Sequence, residues 1–137
     1  MELLVYALAK QLSLDIHLSE VMHPVIFDGH NDVPEQLRER RKDILEGFDF
    51  RDTRNTADAK TGQAAMMTDL ARMRAGKVGA QFWSVYIPGE GRGPFARPQL
   101  EQIEIARRTI ARYPDTFRLA TTVAEIRAAH RAGRIAS

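Results

Sequence analysis

The chain has 137 residues, 44% of them hydrophobic and 28% charged, the proportions of one ordinary soluble domain. With 20 basic and 18 acidic residues the formal net charge is only +2, too weak a field to imply nucleic acid or an anionic lipid surface as partner. There is no cysteine, so disulfides and thiolate metal sites are excluded, and any metal must be held by His, Asp or Glu.

Leu4, Leu8, Leu12 and Ile16 fall on one helical stripe, and residues 1–24 are expected to form a helical extension ahead of the first strand. The run begins with an acid and lacks a basic leader, a poor signal peptide, which favours a cytoplasmic location. Nowhere are about 18 apolar residues consecutive, so no membrane span is expected. His17 and His23 have no second donor at ligand spacing and read as surface residues.

Val25-Ile26-Phe27 followed by Asp28-Gly29 reads as a short buried strand running out into a turn. Side chains alternate along an extended backbone, so His30 and Asp32 project the same way and offer an imidazole and a carboxylate together. Zinc accepts both donors, and the carboxyl ends of strands are where a parallel α/β barrel builds its active site. The same residues also read as a polar turn whose Asx side chains bond their own backbone.

Pro34 suits the first turn of a helix running through Leu37 toward Ile44 and Leu45 and closed by Gly47. The bases of Arg38–Asp43 are interrupted by acids and carry no interleaved aromatics, which describes a solvated helix face rather than a nucleic-acid contact. Phe48 to Gly62 has no helical period and is expected to be a long polar loop. Thr68 is placed to cap a short helix over Asp69–Ala75, with Leu70 and Met73 on its buried edge and Gly76 as its stop; Met66, Met67 and Met73 read as core filler.

Val78–Ile87 is the strongest strand, apolar enough to be buried on both faces as parallel strands are, with Trp83 in the core. The glycines of Gly89–Pro94 lack the spacing of a dinucleotide fingerprint, so no phosphate site is assigned. Residues 98–113 form the clearest helix, with Leu100, Ile103, Ala106 or Arg107, and Ile110 on one stripe. Phe117–Ala120 is a short strand, and Thr122–Glu125 is a capping box opening a helix that Gly133 ends, with His130 well placed for the helix dipole. Arg134–Ser137 looks like the entry into another strand. Alternation of this kind predicts an α/β fold of right-handed βαβ units with a parallel sheet. The chain is nevertheless short for a full barrel, which typically needs about 250 residues.

Taken in order, Asp28-Gly29-His30-Asn31-Asp32 with Pro34, then Thr68–Gly76, Val78–Tyr86, Leu100–Ile103, Arg112–Phe117 and Gly133–Ser137 resemble the membrane (renal) dipeptidase family, the M19 group of metallopeptidases. The resemblance covers residues 25–137 and implies that they are the N-terminal portion of a truncated (β/α)₈ TIM barrel of the metal-dependent hydrolase type. The family hydrolyses dipeptides with two Zn²⁺ ions, and some members open β-lactam rings. By that resemblance His30 and Asp32 bind one of the two ions. The bridging glutamate, two further histidines and the residues that grip the substrate come from later strands and have no matching position here. Glu125 and His130 lie in the helix ahead of the next strand and do not replace them.

The family mechanism is attack by a metal-bridging water on a carbonyl that one zinc polarises. With two protein ligands and no catalytic residue of the family set, the 137 residues are expected to be an inactive fragment of a zinc-dependent dipeptidase. The alternative is a non-catalytic remnant that associates through open sheet edges, with a partner or with another copy of itself as a homo-oligomer. A deacetylase-like amidohydrolase is disfavoured, because that group commonly carries a second histidine where this chain has Asp32.

Overall fold

The computed structural model describes residues 26–40, 47–89 and 93–137. The expected N-terminal extension with His17 and His23, and the Ile44–Leu45 end of the first helix, lie outside the described residues. Strands β1 (Ile26–Asn31), β2 (Val78–Trp83), β3 (Phe117–Arg118) and β4 (Ile135–Ala136) form one sheet in which every pairing is parallel. Helices α1 (Val33–Arg40), α2 (Leu70–Ala75), α3 (Ala96–Arg112) and α4 (Val123–Arg131) complete a mixed α/β arrangement. Among the described residues no helix is long and apolar enough to cross a membrane.

The strand order is β1-β2-β4-β3. A sheet built in chain order would set β3 beside β2; here β4 takes that place. The chain therefore moves outward from β2 to β3 and back again to β4, and right-handed crossovers running in opposite directions put their helices on opposite faces. Accordingly Ala129 of α4 packs with Ala80 and Ala136, while Ile105 and Ile110 of α3 belong with Phe117 and Ile135 to the larger core.

That core is organised around Phe50, which is fully buried. Its ring centroid lies 6.1 Å from Trp83, 6.3 Å from Phe117, 6.4 Å from Tyr113 and 6.0 Å from Phe48. The segment expected to be a polar loop thus anchors the molecule through two aromatics. The Tyr113 hydroxyl accepts from the Phe50 N–H at 2.8 Å and donates to Asp49 at 3.2 Å, while the Arg51 guanidinium sits 5.2 Å from the Tyr113 ring centroid. Burial pushes the Tyr113 hydroxyl above its ordinary pKa, so it stays protonated and able to donate.

Three other expectations are corrected. β2 ends at Trp83, and with Phe82 and Tyr86 exposed only one of its faces is covered throughout. In α3 the buried row is Gln102, Ile105, Ala106, Thr109 and Ile110, while Leu100 and Ile103 face water. Two polar residues can occupy that row because the Gln102 amide donates to the Tyr86 carbonyl at 2.9 Å and the Thr109 hydroxyl to that of Ile105 at 2.8 Å. Met67 is 83% exposed, whereas Met66 and Met73 are buried as expected. The Thr122–Glu125 capping box is present, and α4 gives way to Gly133 at φ 66°, a left-handed conformation glycine adopts without penalty.

Phe50→Ala removes the ring that four other aromatics surround, and the chain is expected to lose about 3–5 kcal/mol of stability in urea unfolding followed by circular dichroism.

Candidate metal site

The site forms where β1 departs from regular pairing. Asp28 aligns with Gln81 and Asn31 with Trp83, so three steps on β1 oppose two on β2, a local bulge that re-aims the side chains between them. Asp28 Oδ1 accepts the His30 N–H at 3.2 Å, and Asn31 Oδ1 accepts the Val33 N–H at 3.1 Å. Both Asx residues therefore turn the backbone, as the polar-turn reading requires.

His30 and Asp32 are left over from that turn and meet each other. His30 Nε2 lies 2.9 Å from Asp32 Oδ1, with the two side chains 67% and 43% exposed. The Asp32 carbonyl accepts the Gln36 N–H at 2.9 Å, so the second donor is rooted at the start of α1. Bonds of about 2.0–2.1 Å in a tetrahedral zinc shell set neighbouring donors about 3.3 Å apart. A nitrogen and an oxygen already this close can turn lone pairs to one cation with little movement. The fit extends to two donors: among the described residues no third His, Asp or Glu joins them as a metal-holding group. Glu35, in the first turn of α1, stands near; burial, then repulsion from Glu39 and Asp32, lifts its carboxyl above the ordinary range. Glu125 is held by Thr121 and Thr122 in the capping box, and His130 lies in the last turn of α4.

Behind the pair is a half-buried polar network, with Gln81 at its buried end, that sequence reasoning did not identify. Asn31 Nδ2 donates to Thr68 Oγ1 at 3.2 Å and to Gln81 Oε1 at 3.4 Å. Gln81 is 3% exposed, and its amide nitrogen donates to the Phe82 carbonyl at 2.9 Å and that of Asp28 at 3.4 Å. The signal available was a lone glutamine in the middle of Val78-Gly79-Ala80-Gln81-Phe82-Trp83, since a buried polar group in an apolar strand must have partners.

Thr68 faces Asn31 because the cap of α2 is Asp69, not Thr68 as expected. Asp69 accepts the Arg72 N–H at 2.8 Å, the Thr53 N–H at 3.1 Å and Arg72 Nε at 3.0 Å. Arg72 Nη2 in turn reaches the Thr53 hydroxyl at 2.8 Å and the Met66 carbonyl at 2.9 Å. Burial alone would raise the Asp69 carboxyl, but these hydrogen bonds from Arg72 and Thr53 outweigh it and hold the group below the ordinary range.

A carboxyl depressed in the folded state contributes stability that is present above its unfolded value and is lost as pH falls through the folded one. Urea midpoints taken from about pH 7 down to about pH 3 should therefore fall less steeply for Asp69→Asn than for the unaltered chain. Asp69→Ala should cost about 1–2 kcal/mol near neutrality, from the lost cap and the stranded Thr53 amide.

The sequence profile of the family described as membrane dipeptidase (peptidase family M19) matches residues 18–137. The chain is similar to Dipeptidase ataJ of Aspergillus terreus, 37% identical over 121 residues that cover 82% of this chain and 27% of that protein. It is 33% identical to Dipeptidase verJ of Clonostachys rogersoniana, covering 94% of this chain and 34% of the relative. With Dipeptidase 3 of Mus musculus it shares 42% identity over 91 residues, 66% of this chain and 16% of the relative. The chain thus spans between 16% and 34% of the length of these curated relatives.

Proposed function

Because this chain belongs to the membrane dipeptidase family, peptidase family M19, we propose that it is the N-terminal part of a zinc-dependent dipeptidase in which His30 and Asp32 supply two donors to one ion of a dinuclear centre. The observation that carries this reading is the imidazole nitrogen standing 2.9 Å from a carboxylate oxygen at the carboxyl end of β1, both open to solvent. Support for the opening part of a (β/α)₈ barrel over residues 25–137 comes from β1 and β2, parallel neighbours in chain order, with α1 directly after the pair; in that reading β4 is the next barrel strand and the two-residue β3 an added strand outside it. When bound, two zinc ions would supply the Lewis acid and the acidified water for peptide hydrolysis.

His30 contributes a borderline nitrogen donor and Asp32 contributes charge. Two donors are half a shell, and each missing ligand weakens retention of the ion. The 137-residue chain is accordingly expected to bind zinc weakly and to release no amino acid from a dipeptide in a ninhydrin assay with zinc present; turnover at family-like rates would refute the incomplete site. The nucleotide sequence following the Ser137 codon is expected to encode, in frame or after a frameshift, a strand of Glu-Gly-Gly-His-like character. A clear continuation without one would overturn the dipeptidase reading.

A second reading, association of copies at β1, whose outer edge pairs with no strand among the described residues, is supported by a specific feature. Ile26, Phe27, Phe82 and Tyr86 are exposed, and the Phe27 and Phe82 rings, 4.9 Å apart, form an apolar patch on the sheet face next to that edge. Concentration-dependent sedimentation is its expected mark, and a monodisperse monomer that unfolds in one step would defeat it.

A further inference from the structure

We propose that Asn31 is the positioning residue for the His30–Asp32 pair, acting through Gln81 and Thr68; the proposal rests on the metal reading above. The two ligand side chains are solvent-exposed and meet chiefly one another, so nothing on the open side fixes where they point. Their direction has to come through the backbone between them. Asn31 occupies that backbone, and its carboxamide, turned to the opposite side, is used at every atom: Oδ1 takes the Val33 N–H, and Nδ2 serves Thr68 and Gln81.

The network also has a direction. Gln81 Nε2 faces two carbonyls, those of Asp28 and Phe82, so only Oε1 is left to meet Asn31. An Asn31 amide turned the other way would set its NH₂ against the Val33 N–H and its oxygen against Gln81 Oε1, two donor–donor or acceptor–acceptor clashes. One arrangement satisfies every partner. It ties the residue between the two ligands to β2 on one side and to the chain leading into α2 on the other, and it links Asp28, which forms the turn at His30, to the same glutamine. Outer partners of this kind typically set ligand orientation, and losing them costs about 10–100-fold in metal affinity.

Asn31→Asp separates geometry from charge. It keeps the acceptor for Val33 but loses both donors, and its added negative charge would by itself strengthen cation binding. Zn²⁺ titrations of the 137-residue chain, followed by the imidazole resonances in proton NMR with His30→Ala as the blank, are expected to show about tenfold weaker binding for Asn31→Asp. Thr68→Val should lose part of that affinity and Thr68→Ser should recover it, each measured well below the thermal midpoint of the variant. Affinity unchanged or tightened in folded Asn31→Asp, together with no difference between the Thr68 variants, would overturn the positioning role and leave the metal pair standing. Absence of His30-dependent Zn²⁺ binding in the unaltered chain would instead overturn the metal reading, and this proposal with it.

Discussion

Two adjacent parallel strands cannot be joined by a tight turn, and the rest of the molecule follows from that constraint. Asn31 and Gln81 touch although fifty residues apart in sequence, so the chain leaving β1 must travel over the sheet and return. What holds this crossover is Phe50, wedged among Trp83, Phe117 and Tyr113, with its carbonyl accepting the Leu70 N–H at 3.0 Å. Thr53, Asp69 and Arg72 then lock the returning segment, and Thr68 arrives beside Asn31 as a consequence.

The Asp28–Asp32 stretch reconciles two readings that looked like competitors. Asp28 and Asn31 do what Asx residues do in turns, and because they spend their oxygens on the backbone, His30 and Asp32 are left facing each other. Asx turn and histidine–aspartate pair are two sides of one bulged strand. The same alternation divides the sheet: Trp83 and Gln81 belong to the covered side, where α3 and the crossover lie, while the phenyl rings of Phe27 and Phe82 meet on the other.

Most of the element boundaries were legible because their signals are local. The Thr122–Glu125 box, the Gly76 and Gly133 stops and the dense apolar run after Lys77 depend on neighbours a few residues away. That His30 and Asp32 meet was legible from their two-residue separation, although a bulge and two Asx turns, rather than regular strand alternation, bring them together. Phe48 and Phe50 were hidden because Asp49 and Arg51 alternate with them, and a polar average over the segment conceals two buried rings. The face of α3 was misjudged because Gln102 and Thr109 count as polar in any periodicity, yet each finds a carbonyl and is buried. The β1-β2-β4-β3 order could not be read at all, since β3 and β4 pair over only two residues.

The long span between β1 and its partner bears on how the chain acquires its shape. Closing a loop of that length costs entropy before any pairing rewards it, whereas β3, α4 and β4 are sequence neighbours and can assemble early. A ribosome nonetheless delivers β1 well before its partner β2. Until Val78–Trp83 emerges, the β2-facing backbone of Ile26–Asn31 has not yet met its partner, an interval in which pairing with another strand competes with folding.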